Sequence, residues 1–178
     1  LFHMLVTALR EDHPVAGRGG CLAHAVSRDL SRWDMIDPFF IPGFPDVPEC
    51  ADWFAWDGRY YLVFGNGGTA RYRVADRPLG PWRRPAYDLL DGGAARVMKT
   101  AAFHGGRRIG VSWIGTRTGD ADDGGLQWGG NVVFRELVRL PDGSLGTAFP
   151  AELVPRGGSA EVPCPAALTG SAACAPGR

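Results

Sequence analysis

Residues 48 to 65 read PECADWFAWDGRYYLVFG and contain the clearest hairpin signal of the chain. Two runs rich in aromatic and aliphatic residues flank Asp57-Gly58, and Asp-Gly between such runs is typical of a two-residue β-turn. Glu49 and Asp52 stand at the start of the first run. The stretch therefore predicts two antiparallel strands with an acidic cluster at one end of the pair.

The same combination of short apolar runs and turn residues recurs along the chain. Residues 96–115 and 129–149 each contain two short apolar runs. Turn signals at Gly105-Gly106 and Asp142-Gly143 separate these runs. The 26 Gly and 14 Pro separate the runs, and no long segment has helical periodicity. The sequence predicts an all-β protein without a long helix.

An internal repeat narrows the fold class. AHAVSRDLSRW (23–33) and RYRVADRPLGPW (71–82) both contain a strand, an Asp, a Leu and a closing Trp, and each follows a similar apolar strand. A further apolar strand at 109–116 continues a period of about 50 residues, the size of one four-stranded propeller blade. The pattern predicts a β-propeller, but only about three blades' worth of strands, whereas propellers have about four to eight blades.

Composition divides the chain into two parts. Residues 1–154 are expected to form a partial propeller domain, and residues 155–178, rich in Pro, Ala and Gly, are expected to be a disordered tail. Cys21 and Cys50 lie in strand-like contexts that predict small buried side chains. No cysteines have the C-x-x-C spacing of a zinc site, and the tail cysteines could form a bridge.

The charge balance excludes some classes of partner. Lys and Arg number 19, as do Asp and Glu, so no basic field exists to attract nucleic acid. The apolar runs are too short to cross a membrane. No signal peptide is visible, which slightly favours a cytoplasmic location, although the absence of an initial Met indicates that the true start lies upstream.

The acidic cluster has a catalytic and a structural interpretation. Carboxylates in a Glu-x-x-Asp spacing are most often solvated turn residues. Trp53, Phe54 and Trp56 would surround Glu49 with apolar area, however, and apolar surroundings raise the pKa of a carboxyl group, which suits a general acid. This environment favours a functional role for Glu49.

Four motifs in order give the cluster a family context. PECADWFAWDGRYYLVFG resembles the E-C-P-D-L-F…G-x-Y-Y-L signature of glycoside hydrolase family 32, the β-fructosidase-type five-bladed propellers. HAVSRDLSRWD upstream is similar to the A-x-S-x-D-L-x-x-W strand of that family. RRIGVSWIGTR and QWGGNVVFRELVRLPDGSLGTAFPAEL downstream resemble its R-x-x-x-G-W…W-x-G-x-x-x-x-R-E-L and G-x-L…P-x-E-L stretches. The similarity covers about residues 2 to 154.

The resemblance implies a retaining glycosidase with two carboxylates and a carbohydrate substrate, a fructoside or a related glycoside. Its general acid falls on Glu49. The family's nucleophile motif, W-x-N-D-P-N-G, and its R-D-P motif are absent from this sequence, so the first blade is missing and the isolated chain is expected to be nearly inactive. No cofactor and no metal are implied.

The same resemblance suggests four substrate-binding residues. Asp52 would shape the environment of Glu49 or hold substrate hydroxyls. Lys99 lies within RVMKTAAF, where fructosidases often read D-F-Y-A-x-Q. It would contact a substrate hydroxyl or an anionic group. The alternative is an exposed strand lysine without a binding role. Trp113 and Trp128 are candidates either for stacking on a sugar or for packing between blades.

Departures from the family leave other functions open. Ala51 replaces the proline of the E-C-P motif and Trp53 replaces its leucine, which puts fructoside specificity in doubt. One alternative is a propeller that binds sugars without hydrolysing them, and another is a β-rich module that binds a protein partner. Arg135 and Glu136 are expected to form an ion pair within a sheet.

Overall fold

The computed structural model describes residues 1–93 and 95–154, which form β-strands joined by turns and short 3-10 helices. No α-helix occurs in these two ranges, so the all-β prediction is confirmed. The 3-10 helices lie at His104–Gly106, Thr118–Asp120 and Ala151–Leu153. The strands are β1 Phe2–Leu9, β2 Gly20–Ser27, β3 Asp34–Phe44, β4 Glu49–Trp56, β5 Arg59–Asn66, β6 Thr69–Ala75, β7 Ala95–Ala102, β8 Arg108–Arg117, β9 Leu126–Arg139 and β10 Leu145–Ala148.

The strands form three antiparallel sheets in chain order. The first sheet is β1-β2-β3, the second is β4-β5-β6 and the third is β7-β8-β9-β10. Each strand pairs with its neighbour in sequence, as in the meander of a propeller blade. In the second sheet, isolated bridges from β6 to Arg83 and Leu89 stand where a fourth strand would lie.

All three predicted turns connect paired strands. Asp57 and Gly58 join β4 to β5 with φ of 46° and 77°, the left-handed values that a type I′ turn requires at both central residues. Gly105-Gly106 lies between β7 and β8, and Asp142-Gly143 lies between β9 and β10. Local turn chemistry thus predicted these hairpins correctly.

The internal repeat relates the first sheet to the second. AHAVSRDLSRW starts in β2 and RYRVADRPLGPW starts in β6, so β1 and β2 correspond to β5 and β6. In the described residues the first sheet has no strand corresponding to β4. β4 is the first strand of the second sheet, and β7 is the first strand of the third sheet. We call these two the inner strands.

The apolar core is built on both faces of β5. Tyr61 and Val63 belong to a cluster that includes Met98 and Leu137 of the third sheet. Leu62 and Phe64 belong to a second cluster formed mainly with first-sheet residues. Because successive side chains of a strand point to opposite faces, the second sheet packs between the other two.

A buried ion pair accompanies the second cluster. Arg73 Nη1 lies 2.6 Å from Asp88 Oδ2, and both side chains are buried. The Arg73 guanidinium also lies over the rings of Phe40 and Phe64, at 5.7 and 5.3 Å from their centroids. Burial lowers the pKa of Arg73, whereas Asp88 raises it. Arg73 and Asp88 therefore neutralise each other's charge at the boundary between the first and second sheets.

Tyrosine hydroxyls connect the second sheet to the third. Tyr61 Oη donates to the carbonyl oxygen of Gly143 at 2.9 Å. Tyr72 Oη accepts a hydrogen bond from the backbone N–H of Leu145, also at 2.9 Å. Both bonds are buried, so the β9–β10 hairpin is fixed to the second sheet by polar as well as apolar contacts.

Two predictions about individual side chains were wrong. Cys21 is buried as predicted, but Cys50 is exposed. Arg135 and Glu136 do not pair with each other: Arg135 Nε lies 2.9 Å from Asp91, and Glu136 lies 2.7 Å from Arg107. Adjacent residues of a strand point to opposite faces, which separates the two charges.

The predicted disordered tail lies outside the described residues, as do Cys164 and Cys174. Across the part of the chain that the structure describes, no helix has the length and apolar character needed to cross a membrane.

Candidate active site

Glu49 lies at the first position of β4, where the strand is irregular. Glu49 pairs with Gly65 and Asp52 pairs with Val63, so three steps along β4 match two along β5. Cys50 within this bulge has a φ of 49°, in the left-handed region that non-glycine residues seldom adopt. Bulges change the direction of side chains and are common beside active sites.

The next inner strand carries a matching bulge. Arg96 pairs with Trp113 and Lys99 pairs with Val111, so β7 also has three steps against two. Val97 has a φ of 51°, which is a conformational outlier for a β-branched residue. Two neighbouring strands thus deviate from regular geometry in the same way, at corresponding ends.

The two bulges border one cavity of about 130 Å³. Glu49 and Arg96 are the charged side chains that line it among the described residues, and Asn66 borders it from the end of β5. Pockets that enclose small molecules usually measure about 300–1,000 Å³. The cavity is therefore smaller than a usual small-molecule pocket.

Trp113 and Trp128 form the aromatic wall of this cavity. Their ring centroids are 5.5 Å apart in an edge-to-face arrangement, and Trp128 is 87% exposed. The Arg96 guanidinium lies 5.3 Å from the Trp113 ring centroid. An exposed indole beside a carboxylate can stack on the apolar face of a sugar ring.

The three aromatic residues expected around Glu49 lie elsewhere. Trp53 stacks on Tyr60 and donates its indole N–H to Pro78 O at 2.8 Å. Phe54 is buried in the core and Trp56 packs against that core. The expectation rested on nearness in sequence, whereas strand alternation directs these side chains to other contacts. The aromatic neighbours of Glu49 come instead from β8 and β9.

Asp52 connects the inner strands rather than lining the cavity. Its Oδ2 accepts hydrogen bonds from the backbone N–H and the hydroxyl of Thr100, at 2.7 and 2.5 Å. Arg108 Nε in turn donates to the Thr100 hydroxyl at 2.7 Å, with its guanidinium stacked 3.5 Å above the ring centroid of Phe54. Burial lowers the pKa of Arg108, and the charge of Asp52 raises it. These contacts fix Asp52 close to the bulge.

Lys99 also contacts the β4 bulge. Its Nζ donates to the carbonyl oxygens of Ala51 and Cys50, at 2.7 and 3.3 Å. The lysine is exposed, and these bonds satisfy backbone acceptors that the bulge leaves without regular ladder partners. In this arrangement Lys99 supports the backbone that carries Glu49.

Sequence reasoning overlooked Arg96 and Asn66. Arg96 lies at the start of β7, just as Glu49 lies at the start of β4. Equivalent ends of inner strands converge in a propeller, and this rule would have singled out Arg96 once the blades were aligned. Among the described residues, no group of three or more His, Cys, Asp or Glu side chains is arranged to hold a metal ion.

Comparison with solved structures identifies the fold. A xylan β-1,4-xylosidase from Bacillus halodurans aligns with 82% of this chain at a TM-score of 0.62 and 15% identity. An α-L-arabinofuranosidase of family 43 from Clostridium thermocellum aligns with 82% at 0.55 and 15% identity. A family 32 glycoside hydrolase from Bifidobacterium adolescentis aligns with 75% at 0.52 and 19% identity.

The chain spans 30%, 49% and 24% of these three proteins, respectively. No protein-family model matches the chain. No curated protein sequence matches it either. The likeness extends over families 32 and 43, so it supports a glycoside hydrolase propeller fold in general rather than family 32 in particular. The prediction of an incomplete β-propeller is confirmed.

Proposed function

We propose that this chain is part of a glycoside hydrolase in which Glu49 donates a proton to the oxygen of the leaving group. One observation carries the proposal: Glu49 stands in a bulge of an inner strand and lines a cavity with two tryptophans, in a propeller of the glycoside hydrolase type. A carboxylic acid beside a sugar platform has the chemistry that glycosidic bond cleavage needs at the leaving group.

The second carboxylate comes from an upstream blade. Glu49 is the only acid that lines the cavity among the described residues, whereas hydrolysis requires two. In a retaining mechanism the nucleophile is an aspartate about 5–5.5 Å from the acid, and it forms a covalent glycosyl-enzyme that water then hydrolyses. The resemblance to family 32 assigns this nucleophile to its W-x-N-D-P-N-G strand.

Two tryptophans of the cavity would hold the sugar, and Asp52 and Lys99 would support the strand that carries Glu49. Trp113 and Trp128 stack on the apolar face of the sugar. Asp52 would shape the surroundings of Glu49 through its hydrogen bonds to Thr100, which fix β4 against β7. Lys99 would contribute through its hydrogen bonds to the Ala51 and Cys50 carbonyls, which hold the β4 bulge in place. Substrates to consider are fructosides and, from the names of the structural neighbours, xylosides and arabinofuranosides.

The test uses a longer chain that includes the upstream blade. Glu49→Gln should lower kcat about 100- to 10,000-fold on glycosides whose leaving group needs a proton. The same variant should retain most activity on aryl glycosides with good leaving groups, because only the acid step is lost. Glu11→Gln, the same change in the β1–β2 loop, serves as the matched control. Equal activity of Glu49→Gln on both substrate types would show that Glu49 is an ordinary turn carboxylate.

A second candidate is a propeller that binds sugars without hydrolysing them. The single acid in the cavity favours this alternative. Sugar binding by the longer chain, without turnover of any substrate and without an upstream aspartate near Glu49, would support it over the hydrolase.

A further inference from the structure

Arg96 differs from the other arginines of the described residues. Most of them donate a side-chain hydrogen bond or form an ion pair, as Arg107 does with Glu136 and Glu152. The described arginines without such a partner are Arg28, Arg32, Arg77 and Arg96. The first three are exposed, whereas Arg96 is half-buried. No Arg96 nitrogen is among the fully buried, unpartnered side-chain atoms of the described residues, so its five donors are accessible and free to bind a ligand.

The surroundings of Arg96 hold it in place without neutralising it. Its guanidinium lies 5.3 Å from the Trp113 ring centroid, in a cation–π contact. On another side it approaches Gly68, where an added Cβ would come within 3.7 Å of the guanidinium carbon. The Val97 bulge sets the direction of the strand beside it. Arg96 is therefore a positioned cation that lines the same cavity as Glu49.

A positioned guanidinium next to a sugar platform favours one class of ligand. Guanidinium and carboxylate form two parallel hydrogen bonds of matching geometry, which neutral hydroxyl groups cannot reproduce. We propose that the site takes glycosides that bear a carboxylate on the sugar, such as uronosides, and that Arg96 binds this carboxylate. The inference rests on the proposed function and specifies its substrate class.

The test compares two ligands that differ at a single group. Methyl β-D-glucuronide carries a carboxylate where methyl β-D-glucoside carries a hydroxymethyl group. The full chain is titrated with each while the indole N–H resonances of Trp113 and Trp128 are followed by NMR. We expect the glucuronide to bind about tenfold or more tightly, and we expect this preference to shrink between about 50 mM and about 500 mM NaCl because salt screens exposed charges.

Variants assign the preference to one residue. Arg96→Gln should bind both glycosides equally, and Arg96→Lys should keep a reduced preference because it retains the charge without the planar donor pair. Arg77→Gln, which removes an exposed arginine without a partner, should bind like the unmodified chain. Each variant is checked for the dispersed Tyr72 and Leu145 resonances of the folded core.

The outcomes separate the two proposals. Equal affinity for both glycosides in the unmodified chain, or a preference that survives Arg96→Gln, overturns the uronoside inference alone. Such a result would leave Arg96 to pair with a carboxylate from an upstream blade. If neither glycoside shifts the indole resonances, the sugar site itself is refuted together with the inference.

Discussion

Thr100 donates two hydrogen bonds to the same oxygen of Asp52, one from its backbone and one from its hydroxyl, at 2.7 and 2.5 Å. Because Asp52 lies in β4 and Thr100 in β7, this contact joins the inner strands of two sheets just beyond their bulges. The Thr100 hydroxyl also accepts a bond from Arg108. The geometry of the candidate site thus depends on a polar connection outside its cavity.

Removal of this hydroxyl should destabilise the chain. Thr100→Val keeps the shape of the side chain but leaves Asp52 and Arg108 each short of one bond, at a cost of about 1–3 kcal/mol. Urea denaturation measures the loss. Thr147→Val in β10 is the matched control, because no hydrogen bond of the Thr147 hydroxyl is found within the described residues. Equal midpoints for both variants would contradict the importance of the connection.

Tyr72→Phe tests the contact between the second sheet and the β9–β10 hairpin. The change leaves the buried N–H of Leu145 without its acceptor and should lower the free energy of unfolding by about 1–3 kcal/mol. Tyr87 is exposed, so Tyr87→Phe should leave stability unchanged within about 0.5 kcal/mol. Thermal unfolding followed by circular dichroism compares the two variants.

The His3–His24 pair predicts a loss of stability on mild acidification. His24 is buried, its Nε2 lies 2.8 Å from His3 Nδ1, and burial followed by the charge of His3 lowers the pKa of His24 from 6.5. The unfolded chain therefore binds this proton more readily than the folded chain does. The contribution of neutral His24 to the free energy of unfolding should be fully present above pH 6.5. It should fall as the pH drops toward the folded-state pKa of His24.

The pH dependence of the melting temperature, between about pH 4.5 and pH 8, checks this direction. His24→Gln should flatten the curve below pH 6.5 even if it lowers stability overall. His13→Gln, which changes a half-buried histidine in the loop between β1 and β2, should leave the slope as it is. A curve that keeps its full slope in His24→Gln would assign the acid sensitivity to other groups.

Thiol labelling should distinguish two of the cysteines. Cys50 is exposed in the β4 bulge, whereas Cys21 is buried and burial raises the pKa of its thiol. Iodoacetamide should therefore modify Cys50 in the native chain long before Cys21, as peptide mass spectrometry can measure. Labelling in denaturant gives the reference rates. Comparable native rates at both positions would mean that the first sheet opens readily.

The fold followed from the sequence where short-range chemistry determines the structure. Asp57-Gly58 can adopt the turn without help from the rest of the chain, and the continuous run of aromatic and aliphatic residues in β5 is typical of a buried strand. The position of Glu49 at the start of a strand was equally local. These features need only neighbouring residues, so a sequence pattern is sufficient to predict them.

The surroundings of Glu49 could not be predicted in the same way. Trp113 and Trp128 reach it from more than 60 residues along the chain, and Arg96 is directed into the cavity by a bulge. A β-bulge of one residue changes the face of the sheet on which the following side chains lie. No local sequence pattern predicted the bulges at Cys50 and Val97. The error over Trp53 has this same origin, since sequence neighbours were taken for spatial neighbours.

The burial of β5 on both faces has a consequence for how the chain opens. Tyr61 and Leu62 are adjacent in sequence yet serve the two different core clusters. Separation of the first or the third sheet from the second would expose one face of β5. The free energies of these two interfaces are therefore coupled through β5. The amide hydrogens of β5 should consequently exchange with solvent more slowly than those of β1, and only through opening of all three sheets together.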